Sequence, residues 1–133
     1  MKAKLMNLYV DDQEKALRFY TDKLGFVKKS DFTNNNYRWL TVVSAEEPDG
    51  TELVLQPGGY MPAAQAFQQA LRQQSAPAAQ FYVDDINQEH ARLEGAGVSF
   101  TMPPTKVTGS TIAMLDDTCG NLIQLTQLGA WSR

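Results

Sequence analysis

Three pairs of residues in this chain share one spacing, and that spacing brings together groups able to bind a small molecule. Asn7 and Tyr9, Gln80 and Tyr82, and Gln124 and Thr126 each lie two residues apart. In a β-strand that interval places both side chains on the same face. Such a face would offer amides that donate and accept hydrogen bonds beside rings that stack on flat ligands, the usual make-up of a small-molecule site. Trp39 and Gln56 extend the set, and Glu52 is its one carboxylate. Glu52 is therefore the candidate general base, with Asn7 and Gln124 as donors to a developing oxyanion. A purely structural reading stands beside each assignment: the amides meet water, Trp39 and Tyr37 pack in a sheet or a dimer interface, and Glu52 is a solvated edge residue.

Two other reactive residue types are set aside. Cys119 is the sole cysteine, which forbids an intrachain disulfide and any multi-thiolate metal site. No His or Lys adjoins it to lower its pKa, so it reads as a loop residue. His90, the single histidine, falls in the middle of a helical segment and reads as a surface position.

The elements that must position these residues come in two copies. Tyr9-Val10-Asp11-Asp12 recurs as Tyr82-Val83-Asp84-Asp85, and Leu24-Gly25-Phe26 is answered by Ala96-Gly97-Val98. Internal repetition of this kind defines a structural unit used twice. In the first copy, Leu5 to Val10 predicts a strand, and Asp11 or Asp12 caps a helix over Glu14 to Leu24 that Gly25 ends. Strands follow over 26–32, 37–44 and 52–56. In the second copy the strand at 79–83 precedes a helix over 86–94, then strands at 98–100, 110–115 and 121–127, with Pro103-Pro104 as a break. Tyr60 to Gln74 predicts a linking helix that begins at Pro62 and carries Ala66, Phe67, Ala70 and Leu71 on one face.

The expected architecture is α+β: two tandem βαβββ modules, about 2–58 and 77–128, joined by a helix at about 60–75. Their mixed sheet would curve around a cleft. At 133 residues with 43% apolar composition the chain suits one domain. A net charge of -3 and scattered Lys and Arg argue against nucleic acid as a partner. No apolar run approaches bilayer length, which argues against a membrane partner, and the start turns acidic before a signal-like stretch develops, so the expected location is cytoplasmic.

Phe19-Tyr20-Thr21-Asp22-Lys23-Leu24-Gly25-Phe26, following Val10-Asp11-Asp12, resembles the first-module signature of the vicinal oxygen chelate superfamily of glyoxalases, bleomycin-resistance proteins and extradiol dioxygenases. Asp117 to Leu125 is similar to its second-module turn and final strand. The resemblance implies one metal ligand on the first and last strand of each module. Those positions fall on Leu5, Ala78, Gln124 and either Glu52 or Gln56. At best one anionic ligand remains where about three protein ligands are needed. No metal and no cofactor is expected, and the partner is a small organic molecule held by Asn7, Tyr9, Trp39, Gln56, Gln80, Tyr82 and Gln124. The resemblance also implies a homodimer, with Trp131 covering a partner surface or folding back. Its other members suggest the alternative of a lyase, isomerase or dioxygenase.

Overall fold

The computed structural model describes residues 1–129, so the expectation for Trp131 lies outside the described residues. The chain divides into two compact units, the first ending at Gln68 and the second beginning at Gln69. Each contains a four-stranded mixed sheet and a helix against one face.

In the first unit, β1 (Leu5–Val10) leads to α1 (Gln13–Arg18), followed by β2 (Val27–Asn34), β3 (Tyr37–Val43) and β4 (Glu52–Pro57). Of the two candidate caps, Asp12 is the one used: its carboxylate accepts from the Lys15 N–H at 3.0 Å, a contact worth about 1 kcal/mol. The helix then widens into a π-helical turn over Phe19–Lys23, and Gly25 leaves it at φ +85°, where a side chain would be strained. The sheet order is β1-β4-β3-β2, with β1 and β4 parallel and the other pairs antiparallel. Leu8, Val10, Leu40, Val42, Leu53 and Leu55 share the helix-covered face, where Ala16, Phe19 and Tyr20 are buried. The rings of Phe19 and Tyr20 meet edge to face at 5.5 Å.

The second unit repeats this plan with β5 (Ala79–Tyr82), α3 (Ile86–Gly95), β6 (Phe100–Val107), β7 (Ser110–Asp116) and β8 (Leu122–Leu128), in sheet order β5-β8-β7-β6. Asp85 caps α3 as Asp12 caps α1. Ile86, Leu93, Ala113, Leu115, Ile123 and Leu125 form its core. Pro103 and Pro104 do not end the strand: β6 runs through them, with one register shift before them, between Phe100 and Met102, and one across them, between Met102 and Thr105. The sequence reading missed this because β6 is an edge strand, and an edge residue can lack an N–H without breaking a ladder.

The helix α2 (Pro62–Gln73) begins at Pro62 as expected, but its buried positions are Ala64 and Gln68. Ala66, Phe67 and Ala70 are exposed, contrary to the apolar face assigned from periodicity. The reason is polar: Gln68 turns inward to donate to the Tyr9 carbonyl at 2.9 Å, and Gln65 donates to that of Gly59. No helix among the described residues is long and apolar enough to cross a membrane.

Candidate functional site

Strand parity leaves each sheet with one face that its helix does not cover. In the first unit that face carries Leu5, Asn7 and Tyr9 from β1, Glu52, Val54 and Gln56 from β4, and Tyr37, Trp39 and Thr41 from β3. The register sets Leu5 opposite Glu52, Asn7 opposite Val54 and Tyr9 opposite Gln56. Thr41 lies on the far side of Val54, and continuing that pairing brings Trp39 alongside Gln56. Trp39 in turn faces Phe32 on β2.

Two hydrogen-bonded groups organise this face. The Tyr37 hydroxyl donates to Gln56 Oε1 at 2.7 Å, and Gln56 Nε2 donates to Asn7 Oδ1 at 2.9 Å. The chain crosses three strands and fixes both amides, with Gln56 between Tyr9 and Trp39. Separately, the buried Thr41 hydroxyl donates to Glu52 Oε1 at 2.8 Å while accepting from the Ser30 N–H at 3.1 Å. A hydroxyl has one proton to give, so Thr41 holds Glu52 in the role of acceptor. Tyr37 and Thr41 were overlooked as site residues, although their parity within 37–43 matches that of Trp39.

The uncovered face of the second unit is simpler. Gln80 pairs with Gln124 and Tyr82 with Thr126 across β5 and β8. Gln124 Nε2 donates to Gln80 Oε1 at 3.3 Å and to Thr126 Oγ1 at 3.1 Å. Tyr82 is 72% exposed. Thr126 and Leu122 are buried on the same face. The structure thus groups Asn7, Gln56, Tyr9 and Trp39 in one unit, with Glu52 at the other end of that face, and Gln80, Tyr82 and Gln124 in the other.

Register also settles which residues occupy matching places in the repeat. Asn7 pairs with Val54 as Gln80 pairs with Gln124. The first-unit counterpart of Gln124 is therefore Val54, and neither Glu52 nor Gln56, which lie one pair to either side, holds the place expected of them. The strand positions at issue for a metal are Leu5, Val54, Ala78 and Gln124. Two aliphatic groups, a methyl and an amide do not fit a divalent cation. Among the described residues, no group of three or more His, Cys, Asp or Glu is placed to hold an ion.

The charged groups with displaced pKa values lie away from these faces. Arg38 grips Asp31 through two bonds of 2.8 and 2.9 Å. That contact, reinforced by Lys28, holds the Asp31 carboxyl down at about 2. Both residues project from the opposite side of β2 and β3. His90, expected at the helix surface, instead lies on the face of α3 that carries buried Ile86 and Leu93, packed edge-on against Phe100 at 4.5 Å and 3.4 Å from Glu94.

Comparison with known proteins agrees with this architecture. The family model described as Glyoxalase/Bleomycin resistance protein/Dioxygenase superfamily matches residues 3–125. The uncharacterised protein YurT of Bacillus subtilis is 49% identical over 127 residues, covering 96% of this chain and 99% of that protein. Among solved structures, UcmS2 superposes with a TM-score of 0.81 at 32% identity, covering 95% of this chain and 97% of its own. TnmS3, described as an antibiotic binding protein from Streptomyces sp. CB03234, gives 0.77 at 28% identity, covering 97% of both chains.

Proposed function

Because this chain belongs to the glyoxalase/bleomycin resistance protein/dioxygenase superfamily, we propose that it binds a small organic molecule without a metal of the family type, in the manner of a sequestration or resistance protein. The observation that carries this reading is the ordered Tyr37–Gln56–Asn7 chain, whose middle member Gln56 is flanked by Tyr9 and Trp39. Fixed amides with flanking rings cost little conformational entropy on binding, because the protein has already ordered them. The metal positions carry Leu5, Val54, Ala78 and Gln124, a set without a carboxylate, imidazole or thiolate to hold an ion. The antibiotic-binding relative supports a drug-like ligand for this chain as well.

A thermal-shift screen against aromatic and glycopeptide antibiotics tests the reading, with tryptophan quenching as the second signal. Binders should raise the melting temperature and quench fluorescence, and Trp39→Phe should remove most of that quenching. A broad panel in which no compound moves either signal removes the proposal.

The second reading, a metal-free lyase or isomerase, is favoured by one contact: Thr41 leaves Glu52 with an oxygen free to act as base. Turnover unchanged in Glu52→Gln for any substrate found would end that role. A homodimer in the cytoplasm completes the proposal, and exposed Leu5, Phe32 and Tyr82 supply apolar area for a partner copy. A monomer by light scattering at micromolar concentration would count against the dimer.

A further inference from the structure

The last two strands of each unit are laced differently, and the difference singles out Gln13. β7 and β8 pair over seven positions, from Ser110 against Leu128 to Asp116 against Leu122. β3 and β4 pair over two, Thr41 against Val54 and Val42 against Leu53. Past Thr41 the ladder would continue with Leu40 against Leu55 and Trp39 against Gln56, but the pairing stops. The rung after those would set Arg38 against Pro57, and proline has no N–H to give the Arg38 carbonyl.

Gln13, the first residue of α1, fills this gap. Its Nε2 donates to the Arg38 carbonyl at 3.0 Å and to the Leu55 carbonyl at 2.8 Å, which uses both of its protons. Those carbonyls flank the Trp39–Gln56 position, so the amide stands where bonds between the strands would form. The matching place in the second unit is filled differently. Gln13 follows the Asp12 cap as Ile86 follows the Asp85 cap. Pro57 is matched by Gln127, which pairs with Thr111 in the complete ladder. Ile86 is buried, and the bond there runs the other way, from its N–H to Gln127 Oε1 at 2.9 Å. An apolar residue at the start of the helix accompanies a closed ladder, and an amide accompanies an open one.

We propose that Gln13 is a positioning residue for the uncovered face: its amide, held between β3 and β4, keeps this seam open and sets the gap between Trp39 and Gln56 that the Tyr37 hydroxyl bridges. A backbone ladder imposes one spacing on its strands. A seam tied by side chains takes the spacing they give it, so the helix-covered side of the sheet shapes the other side. This role adds to the small-molecule reading above but is tested without a ligand, so either can fail alone.

Amide exchange and cross-strand NOEs, measured by NMR on the isotope-labelled chain, test it. In the wild-type chain the protection factor of the Leu40 N–H should lie about fivefold or more below that of Ala113, its second-unit counterpart, the difference expected for one backbone hydrogen bond. No Hα–Hα contact should join Trp39 to Gln56. Gln13→Ala, which withdraws the amide without adding bulk, should raise the Leu40 protection by about the same factor and bring in that contact. It should also shift the side-chain amide signal of Gln56 and leave that of Gln124 in place, which a general loss of stability would not do. Gln13→Ile combined with Pro57→Gln copies both second-unit residues and should extend the pairing to position 38. Leu40 protection equal to that of Ala113 in the wild-type chain, or unchanged or lowered in Gln13→Ala, overturns the role of Gln13.

Discussion

The uncovered faces of the two sheets are built on the same strand plan and have opposite characters. In the first unit, polar side chains from three strands are tied into chains that end in a carboxylate and an amide, with rings between them. In the second, one glutamine satisfies its own neighbours, Gln80 and Thr126, and among the described residues no charged side chain bonds to it. The helix-covered faces, by contrast, carry the same kinds of aliphatic residue in both units. The faces that pack each core are alike, and the faces left open by the helices are not. The turns before the last strand of each unit diverged as well, in the reverse sense: the second is buried and clasped, the first exposed.

That reversal predicts the largest effect. Asp117 is buried and accepts from the N–H groups of Cys119 at 2.7 Å and Asn121 at 3.0 Å, and from Asn121 Nδ2 at 2.9 Å. The clasp holds Thr118 and Gly120 at positive φ. Asp117→Ala leaves these donors without their acceptor and should cost about 3 kcal/mol by urea denaturation. In the matching turn Ser44 Oγ accepts only from the exposed Glu46 N–H, and Ser44→Ala should change stability by less than about 0.5 kcal/mol. Equal costs would show that the two turns do the same structural work.

Exchanging the counterparts Val54 and Gln124 sharpens the contrast between the faces. Val54 is fully buried, so Val54→Gln forces a larger, polar side chain into a closed place and should cost about 2 kcal/mol. Gln124 is half-buried and bonded only to other side chains. Gln124→Val should cost under about 1 kcal/mol, since the main acceptor left behind, on exposed Gln80, can bond to water instead. Symmetric penalties would mean that the difference in burial between the two positions does not set their cost.

Most of the backbone plan was legible because its signals are local and repeated. The Asp caps at 12 and 85 and the glycines at 25 and 97 mark the same helix in each half. What escaped depended on contacts between elements. Nothing in the sequence around Pro103-Pro104 announces an edge strand, which is a property of sheet order. The inward face of α2 was misassigned because Ala66, Phe67 and Ala70 form a stripe, whereas Gln68 is drawn in by the Tyr9 carbonyl. In the site, parity identified Asn7, Tyr9, Gln80 and Gln124 as residents of the uncovered faces. It could not supply the register that makes Val54 the counterpart of Gln124, nor the bonds that join Tyr37 and Thr41 to the set.

A smaller effect tests whether Thr41 organises the first face. Thr41→Val keeps the shape but strips the Ser30 N–H of its acceptor and Glu52 of its donor. The cost should be about 1.5 kcal/mol. Ligand affinity should fall more than in Thr126→Val, because the second-unit hydroxyl only receives a bond from Gln124. If the two variants lose affinity equally, the asymmetry between the faces has no bearing on binding.

The smallest effect separates fold from site within the first unit. Asp31 and Arg38 sit on the side of β2 and β3 away from the uncovered face, and the Arg38 guanidinium keeps the Asp31 carboxyl at about 2, below its usual 3.8. A depressed carboxyl stabilises the folded state above its unfolded pKa, and that contribution is lost as pH falls from about 3.8 through 2. The pair lies at the surface, which limits its worth to about 1 kcal/mol or less. Asp31→Asn should therefore lower the melting temperature slightly at pH 6, by an amount that shrinks below pH 4 and vanishes near pH 2. Ligand affinity at pH 6 should be unchanged, because no bond links this pair to Glu52 or to the Tyr37–Gln56–Asn7 chain. A loss of affinity in Asp31→Asn would mean that the two sides of the sheet are coupled through β3.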